Sequence, residues 1–271
     1  MSATQPAPDI DAYAALFAAC GGTDEPYLRL HYPRFVATRA RFVANRKHER
    51  GALLDVGAHW LHQSLLYALD GFAVTALDVP ATFDDMHVRA LAERHDIRLL
   101  TDANPEQAQA LRALPDGSFD VVLFTEIIEH LTFNPVAMWR EIYRVMKPGA
   151  RIVVTTPNYY GLRRLLHALS RFLRADGGSI AVDSLLWQPS FAHHWKEYSL
   201  RELRRYFQLL SPDFSVSHRA HVAKYESAEA HRLLDGAARG VEWILPALRP
   251  NLYLEVTLMH KSQGIVVEPR W

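Results

Sequence analysis

A chain of 271 residues with 49% hydrophobic side chains has ample material for a sizeable core, and its 30 basic and 30 acidic residues cancel to zero formal charge. That balance excludes a global field drawing the protein to nucleic acid or to an anionic surface, and leaves only local patches for either. A single cysteine, Cys20, excludes an internal disulfide framework and points to a reducing compartment. No charged n-region with an apolar h-region opens the chain, and no apolar run reaches the length of a membrane span. A soluble, cytoplasmic protein without a membrane partner is expected.

Met1 to Asp9 is polar and Pro-containing, as a frayed terminus is. From Ile10 to Ala19 and from Tyr27 to Arg46 apolar residues recur at helical spacing, and Gly21-Gly22 split the two stretches. Residues 1–50 thus read as a helical extension, covering either a sheet edge or a ligand. Ala52-Leu53-Leu54-Asp55-Val56 is an apolar strand, Gly57-Ala58-His59-Trp60-Leu61-His62 a turn into a helix ending near Leu69, and Phe72 to Asp78 a second strand ending in an acid. In such a βαβ unit a nucleoside can lie over the turn while Asp78 accepts hydrogen bonds from both ribose hydroxyls. Asp55 could orient the turn or bind an ammonium through an intervening group. The plainer alternative has Asp78 capping the next helix.

Ile97 to Thr101 reads as a third strand, and Asp102 with Ala103-Asn104-Pro105 fits either a nucleobase contact or simple turn chemistry. Phe119 to Phe124 is a buried parallel strand, and Thr125-Glu126-Ile127-Ile128-Glu129-His130-Leu131 follows at its C-terminal tip, where open α/β sheets bind ligands. If that turn is helical, Glu126, Glu129 and His130 fall at i, i+3 and i+4 and share a face, as a divalent-metal or acid/base site requires. Otherwise the two acids decorate a helix N-terminus and His130 is a packing residue.

Asn134 to Met146 reads as a helix with Pro135 at its start, Lys147-Pro148-Gly149-Ala150 as its stop, and Arg151 to Asn158 as a fifth strand. Tyr159 to Arg174 has helical amphipathicity with Arg163, Arg164, Arg171 and Arg174 on a solvated face, and Asp176-Gly177-Gly178 end it. The stretch to Phe191 reads as a loop burying Ile180, Val182, Leu185, Leu186 and Trp187, a lid over a substrate. After His193-His194-Trp195-Lys196-Glu197-Tyr198, Ser199 and Glu202 form a capping box. Asp213 to Val222 is a sixth strand, Glu226 to Leu245 a helix, and Asn251 to His260 a last strand.

Asp55-Val56-Gly57 with Asp78, the approach Leu114-Pro115-Asp116-Gly117-Ser118-Phe119-Asp120, and Arg151 to Asn158 resemble, in order and spacing over about residues 51–158, the class I S-adenosylmethionine-dependent methyltransferases. The resemblance implies an α/β, Rossmann-like, seven-stranded and mostly parallel sheet with helices on both faces and the last strand antiparallel beside the fifth. It also implies a domain over 51–271 carrying the lid insertion at about 159–198. The cofactor would meet Asp55, Gly57, His59, Asp78, Asp102, Ala103 and Glu126. The chain departs from the family's Asp-x-Gly-x-Gly-x-Gly at His59 and Leu61, where glycines permit positive φ and close approach. A Gly-x-Gly-x-x-Gly dehydrogenase fingerprint is absent.

Glu-x-x-Glu-His, the Thr-Pro-Asn strand end and the later His-x-x-Glu-aromatic-Ser are similar to a subset that includes ubiquinone-pathway O-methyltransferases and small-RNA 3′-terminal 2′-O-methyltransferases. In the RNA enzymes the corresponding residues bind a divalent metal. Carried over, the ligands would be Glu126, Glu129, His130 and His194, suiting Mg²⁺, Mn²⁺, Fe²⁺ or Zn²⁺. Without metal, His130 or His194 is the general base. Three functions follow. The first is O-methylation of a small molecule or sugar under a lid lined by Trp187, Phe191 and Trp195. The second is 2′-O-methylation of RNA ends gripped by the helix of Arg163 and that of Arg201, Arg204 and Arg205. The third is a non-catalytic descendant that has lost the cofactor through His59 and Leu61.

Overall fold

The computed structural model describes residues 6–22, 24–44, 50–174, 180–223 and 232–269. Helices α1 (Ile10–Ala18) and α2 (Glu25–Ala44) open it. Strands and helices then alternate as β1 (Ala52–Val56), α3 (Ser64–Leu69), β2 (Ala73–Asp78), α4 (Pro80–Phe83), α5 (Met86–Arg94), β3 (Arg98–Thr101), α6 (Gln109–Arg112), β4 (Phe119–Thr125), α7 (Val136–Val145) and β5 (Met146–Pro157). Beyond β5 follow α8 (Leu162–Leu173), α9 (Val182–Trp187), α10 (Leu200–Leu210), β6 (Phe214–Val222), α11 (Arg232–Ile244) and β7 (Asn251–Leu258). No helix among the described residues is long and apolar enough to cross a membrane.

The strands form one seven-stranded sheet in the order β3-β2-β1-β4-β5-β7-β6, with β7 antiparallel to both β5 and β6. The strand order reverses between β1 and β4, and that is where ligands enter an open α/β sheet. Alternate residues of β4 serve opposite faces. Val122 and Phe124 meet Trp139 and Ile142 of α7 and Phe207 of α10, whereas Val121 and Leu123 share a second core with Phe35 of α2 and Leu65 of α3. All of these but Phe35 are fully buried, which is why β4 reads as a continuous apolar run. The helical stripe of α7 places Val136, Trp139, Ile142 and Tyr143 inward, and the Trp139 indole donates to Tyr206 Oη at 2.7 Å. Tyr13 and Phe17 of α1 and Leu28 of α2 complete the second core, so the N-terminal helices are packed structure.

The helix stops where expected, α7 ending at Val145 with Met146 extended; Lys147 to Ala150 then form the irregular start of β5, where Met146 pairs with Phe119 before the register shifts and Gly149 takes φ +83°. Another expectation needs correction. The segment after α8 is not a loop burying apolar groups. It forms α9 and a 3₁₀ turn at Ser190–Ala192, and Val182, Leu185, Leu186, Trp187 and Phe191 face outward. Asp176-Gly177-Gly178 and the first turns expected for the helix from Glu226 lie outside the described residues. The capping box is present: Ser199 Oγ accepts from Glu202 N at 3.2 Å and Glu202 Oε2 accepts from Ser199 N at 2.9 Å.

Candidate active site

The turn after β1 shows how the chain dispenses with two glycines. His59 (φ 51°) and Leu61 (φ 66°) both adopt the left-handed conformation that glycine would supply. Each costs roughly 1–2 kcal/mol on that account. Leu61 offsets it by complete burial, and the His59 ring lies 4.0 Å from that of Trp60 and 5.0 Å from that of Tyr27 on α2. A carboxylate fixes the turn as well: Asp78 Oδ2 accepts from His59 N at 2.7 Å, and its Oδ1 accepts from Val79 N at 2.7 Å and from Thr82 Oγ1 at 3.0 Å. Gly57 has φ +74°, and a Cβ there would stand 2.0 Å from Ile127 Cδ1, so glycine lets the β4 loop close over the β1 turn. Asp55 points inward, accepting from Ser64 Oγ at 2.6 Å, and burial raises its pKa to about 7. It is an internal brace between β1 and α3.

A cavity of about 180 Å³ lies beyond the strand tips, lined by Val56, Gly57, Leu77, Asp78, Asp102, Ile127, His130 and the apolar side chains of Pro105, Leu111, Phe133 and Met138. Asp102 reaches its wall with both oxygens engaged, accepting from Asn104 N (2.9 Å) and Ala110 N (3.1 Å). Both bonds are turn-and-cap chemistry while Asp102 also lines the cavity, and Ala103 is exposed outside the lining.

The loop after β4 differs from the helical turn that would have aligned two acids and an imidazole. Glu126 has φ 56° and donates its backbone N–H to Thr155 O at 2.8 Å, and only Ile128–His130 coil, as one 3₁₀ turn. Glu126 consequently leaves the cluster and meets Arg34 of α2, with Nη1 to Oε2 at 3.3 Å. Glu129, fully buried, accepts from Thr156 Oγ1 at 2.8 Å through Oε2, while its buried Oε1 has no hydrogen-bond partner. His130 Nε2 stands 3.9 Å from that oxygen. Ligating atoms of Glu129, His130 and His194 all lie within 4.8 Å of one another, so three of the four expected metal ligands converge and Glu126 does not.

Their electrostatics follow from burial. Desolvation, then the Glu126 carboxylate, raises Glu129 well above the usual carboxylate range. Desolvation, then His194, lowers His130 and keeps its imidazole neutral at neutral pH. His130 Nδ1 lies 3.0 Å from the carbonyl of His193; a carbonyl only accepts, so Nδ1 carries the proton and Nε2 presents its lone pair to the cluster. His194 Nδ1 lies 3.4 Å from Glu197 Oε1, which also pairs with Arg164 of α8. Thr156 and Glu197 stand in the Thr-Pro-Asn and His-x-x-Glu motifs but were given no role there, and Arg34 and Ile127 occupy no motif position; each meets its partner through tertiary contact.

Residues 54–154 match a family model described as a methyltransferase domain. The chain is 30% identical over 206 residues to the ubiquinone biosynthesis O-methyltransferase of Xanthomonas oryzae pv. oryzae, covering 73% of this chain and 79% of that one. It belongs to the class I S-adenosylmethionine-dependent methyltransferases. The ubiquinone biosynthesis O-methyltransferase of Caulobacter vibrioides is 35% identical over 155 residues, which span 57% of this chain and 56% of that relative. The fold is shared with an S-adenosylmethionine-dependent methyltransferase of Thermotoga maritima (TM-score 0.52, 12% identity, 90% of this chain and 99% of that one). It is also shared with phosphoethanolamine N-methyltransferase 2 of Haemonchus contortus in complex with S-adenosyl-L-methionine (TM-score 0.50, 15% identity, 92% and 56%). The residues of this methyltransferase fit that donor. The cavity is walled by apolar side chains able to hold a nucleobase, Asp78 lines it, and His59 and Leu61 keep the turn in its glycine-like shape.

Proposed function

We propose that this methyltransferase moves the donor's methyl group onto a hydroxyl oxygen of a small molecule or sugar, and that Glu129, His130 and His194 meet the acceptor. One observation carries the reading: a fully buried carboxyl group with an unpartnered oxygen clusters with two imidazoles, one of which, His130, also lines the apolar cavity beyond the strand tips. The names of the Caulobacter and Xanthomonas relatives support oxygen as the acceptor atom.

Asp78 accepts hydrogen bonds from the ribose hydroxyls and the apolar wall of Leu111, Phe133 and Met138 holds the base. Gly57 leaves the turn open to close approach, and Asp55 holds that turn from beneath. At the acceptor, His130 Nε2 takes the hydroxyl proton as the oxygen attacks the methyl carbon in line, and the sulfonium leaves as a neutral thioether. His130 is suited to this because burial keeps it neutral and the His193 carbonyl fixes its tautomer. Glu129 and His194 orient the acceptor, Glu129 held by Thr156 and His194 by Glu197. The same three side chains form a carboxylate and imidazole donor set suited to a divalent cation, which when bound would lower the acceptor hydroxyl's pKa.

The test is an acceptor series of catechols, sugars and RNA 3′ ends incubated with isotopically labelled donor, the labelled product being located by mass spectrometry. Methyl on the oxygen of a small acceptor is expected. Methyl confined to nitrogen, or to RNA ends, would contradict the reading.

A further inference from the structure

Helix α2 turns one side to the donor turn. Tyr27, His31, Arg34 and Phe35 stand at i, i+4, i+7 and i+8 along it and so share a face. At one end of that face the Tyr27 ring lies 4.2 Å from that of His31, 5.0 Å from that of His59 and 6.0 Å from that of Trp60. It also stacks on the buried His62 at 5.6 Å. At the other end Arg34 reaches Glu126 at the tip of β4. The two anchors bracket the crevice between β1 and β4, where the strand order reverses.

His59 is the member that sequence would not have placed there. Its φ of 51° is one that glycine adopts freely, and its side chain lies outside the lining of the cavity. A residue held in a strained conformation where glycine would fit points to a use for its side chain. The rings around it are those of Trp60 and His62 in its own turn and that of Tyr27 on α2, so Tyr27 is its link to a second element. Desolvation lowers the pKa of His59, and lowers that of His31 to about 4, so these rings pack uncharged at neutral pH.

We propose that His59 is a positioning residue for the donor: its ring clasps Tyr27 and so holds α2 along the crevice before the donor arrives. The ordering of α2 then belongs to the fold, and the donor does not have to supply it on binding. Of the two roles that the sequence leaves open for the N-terminal helices, covering a sheet edge or covering a ligand, α2 takes the second. A glycine at position 59 would leave the turn its shape and remove the clasp. The inference rests on the donor lying in the crevice and is independent of which atom accepts the methyl group.

The experiment is calorimetric titration of the full chain with S-adenosylmethionine, with hydrogen exchange of the α2 amides followed on the same proteins without donor. His59→Gly relaxes the backbone while removing one ring of the clasp, and Tyr27→Ala removes the other from a helix position that alanine favours. Both should weaken donor affinity about three- to tenfold and speed exchange in the first turns of α2. The double variant should lose no more than either alone, because the two rings act as one contact. Tyr27→Phe keeps its ring and should bind and exchange as wild type does. The urea midpoint of His59→Gly should stay close to that of wild type, which separates positioning from loss of the fold. Unchanged affinity and exchange in His59→Gly, losses that add in the double variant, Tyr27→Phe as weak as Tyr27→Ala, or a midpoint that falls with the affinity would overturn the proposal. Asp78→Ala, run alongside, tests the premise. Unchanged affinity there would place the donor elsewhere and remove the site with the clasp, whereas weakened Asp78→Ala beside unaffected His59→Gly would overturn the clasp alone.

Discussion

Replacing Gly57 by Ala tests how the β1 turn and the β4 loop are locked together. The substitution forces alanine to φ +74°, costing roughly 1–2 kcal/mol. Its Cβ also arrives 2.0 Å from Ile127 Cδ1, and displacing that side chain in a packed site adds roughly 1–3 kcal/mol. Gly57→Ala should therefore lose about 2–5 kcal/mol in total, close to 2–4 °C in Tm for each kcal/mol at this chain length. Ile127→Ala removes the obstructing group, so on that background Gly57→Ala should cost only the backbone part, the steric part being recovered. Urea unfolding of wild type, both single variants and the double variant closes the cycle, and a favourable coupling of about 1–3 kcal/mol is expected. Strict additivity, or a Gly57→Ala variant within about 0.5 kcal/mol of wild type, would refute the reasoning.

Other expectations follow from the same geometry. Asp78→Ala removes the acceptor for both His59 N and the ribose; calorimetry should find donor affinity about ten- to a hundredfold weaker, and unchanged affinity would remove Asp78 from the site. Asp55 is raised to about 7 by burial, so the folded state retains a proton that the unfolded chain releases near 3.8. Its contribution to stability is present at low pH and lost as pH rises from about 4 through 7, and Asp55→Asn should flatten that part of the urea-midpoint profile. For His130, whose pKa is lowered, turnover should fall as acid protonates Nε2, and the acidic limb of the rate profile should lie below the ordinary histidine value of 6.5. Thr156→Val strips Glu129 of its hydrogen bond; turnover should drop while donor affinity stays unchanged, and parallel loss of both would mean the site had unfolded.

The fold was legible because the central strands β1, β4 and β5 are largely buried on both faces and write themselves as apolar runs, and because the acids at the ends of β1 and β2 mark strand tips. Less legible was the conformation of short loops. Glu126 and Glu129 look equivalent in the sequence, yet one left-handed residue at the end of β4 sends the first toward Arg34 and leaves the second in the cluster. His59 and Leu61 raised the opposite difficulty, since as residue types they argue against positive φ, and only tertiary packing and the Asp78 carboxylate hold them there. The apolar residues from Val182 to Trp187 were read as buried because composition reports what a side chain prefers and not whether a neighbour is present to cover it.

The account rests on Glu129 and His130 meeting the acceptor without holding the donor, and pairing two measurements on one set of proteins tests this most directly. Donor affinity by calorimetry and methyl transfer to the best acceptor of the series would be measured for wild type, Glu129→Gln and His130→Ala, each after chelator treatment and after adding Mg²⁺ or Mn²⁺. The account predicts near-wild-type donor binding in both variants with transfer slowed about 10²- to 10⁴-fold. Variants that transfer as fast as wild type, or that lose the donor as completely as the methyl transfer, would contradict it.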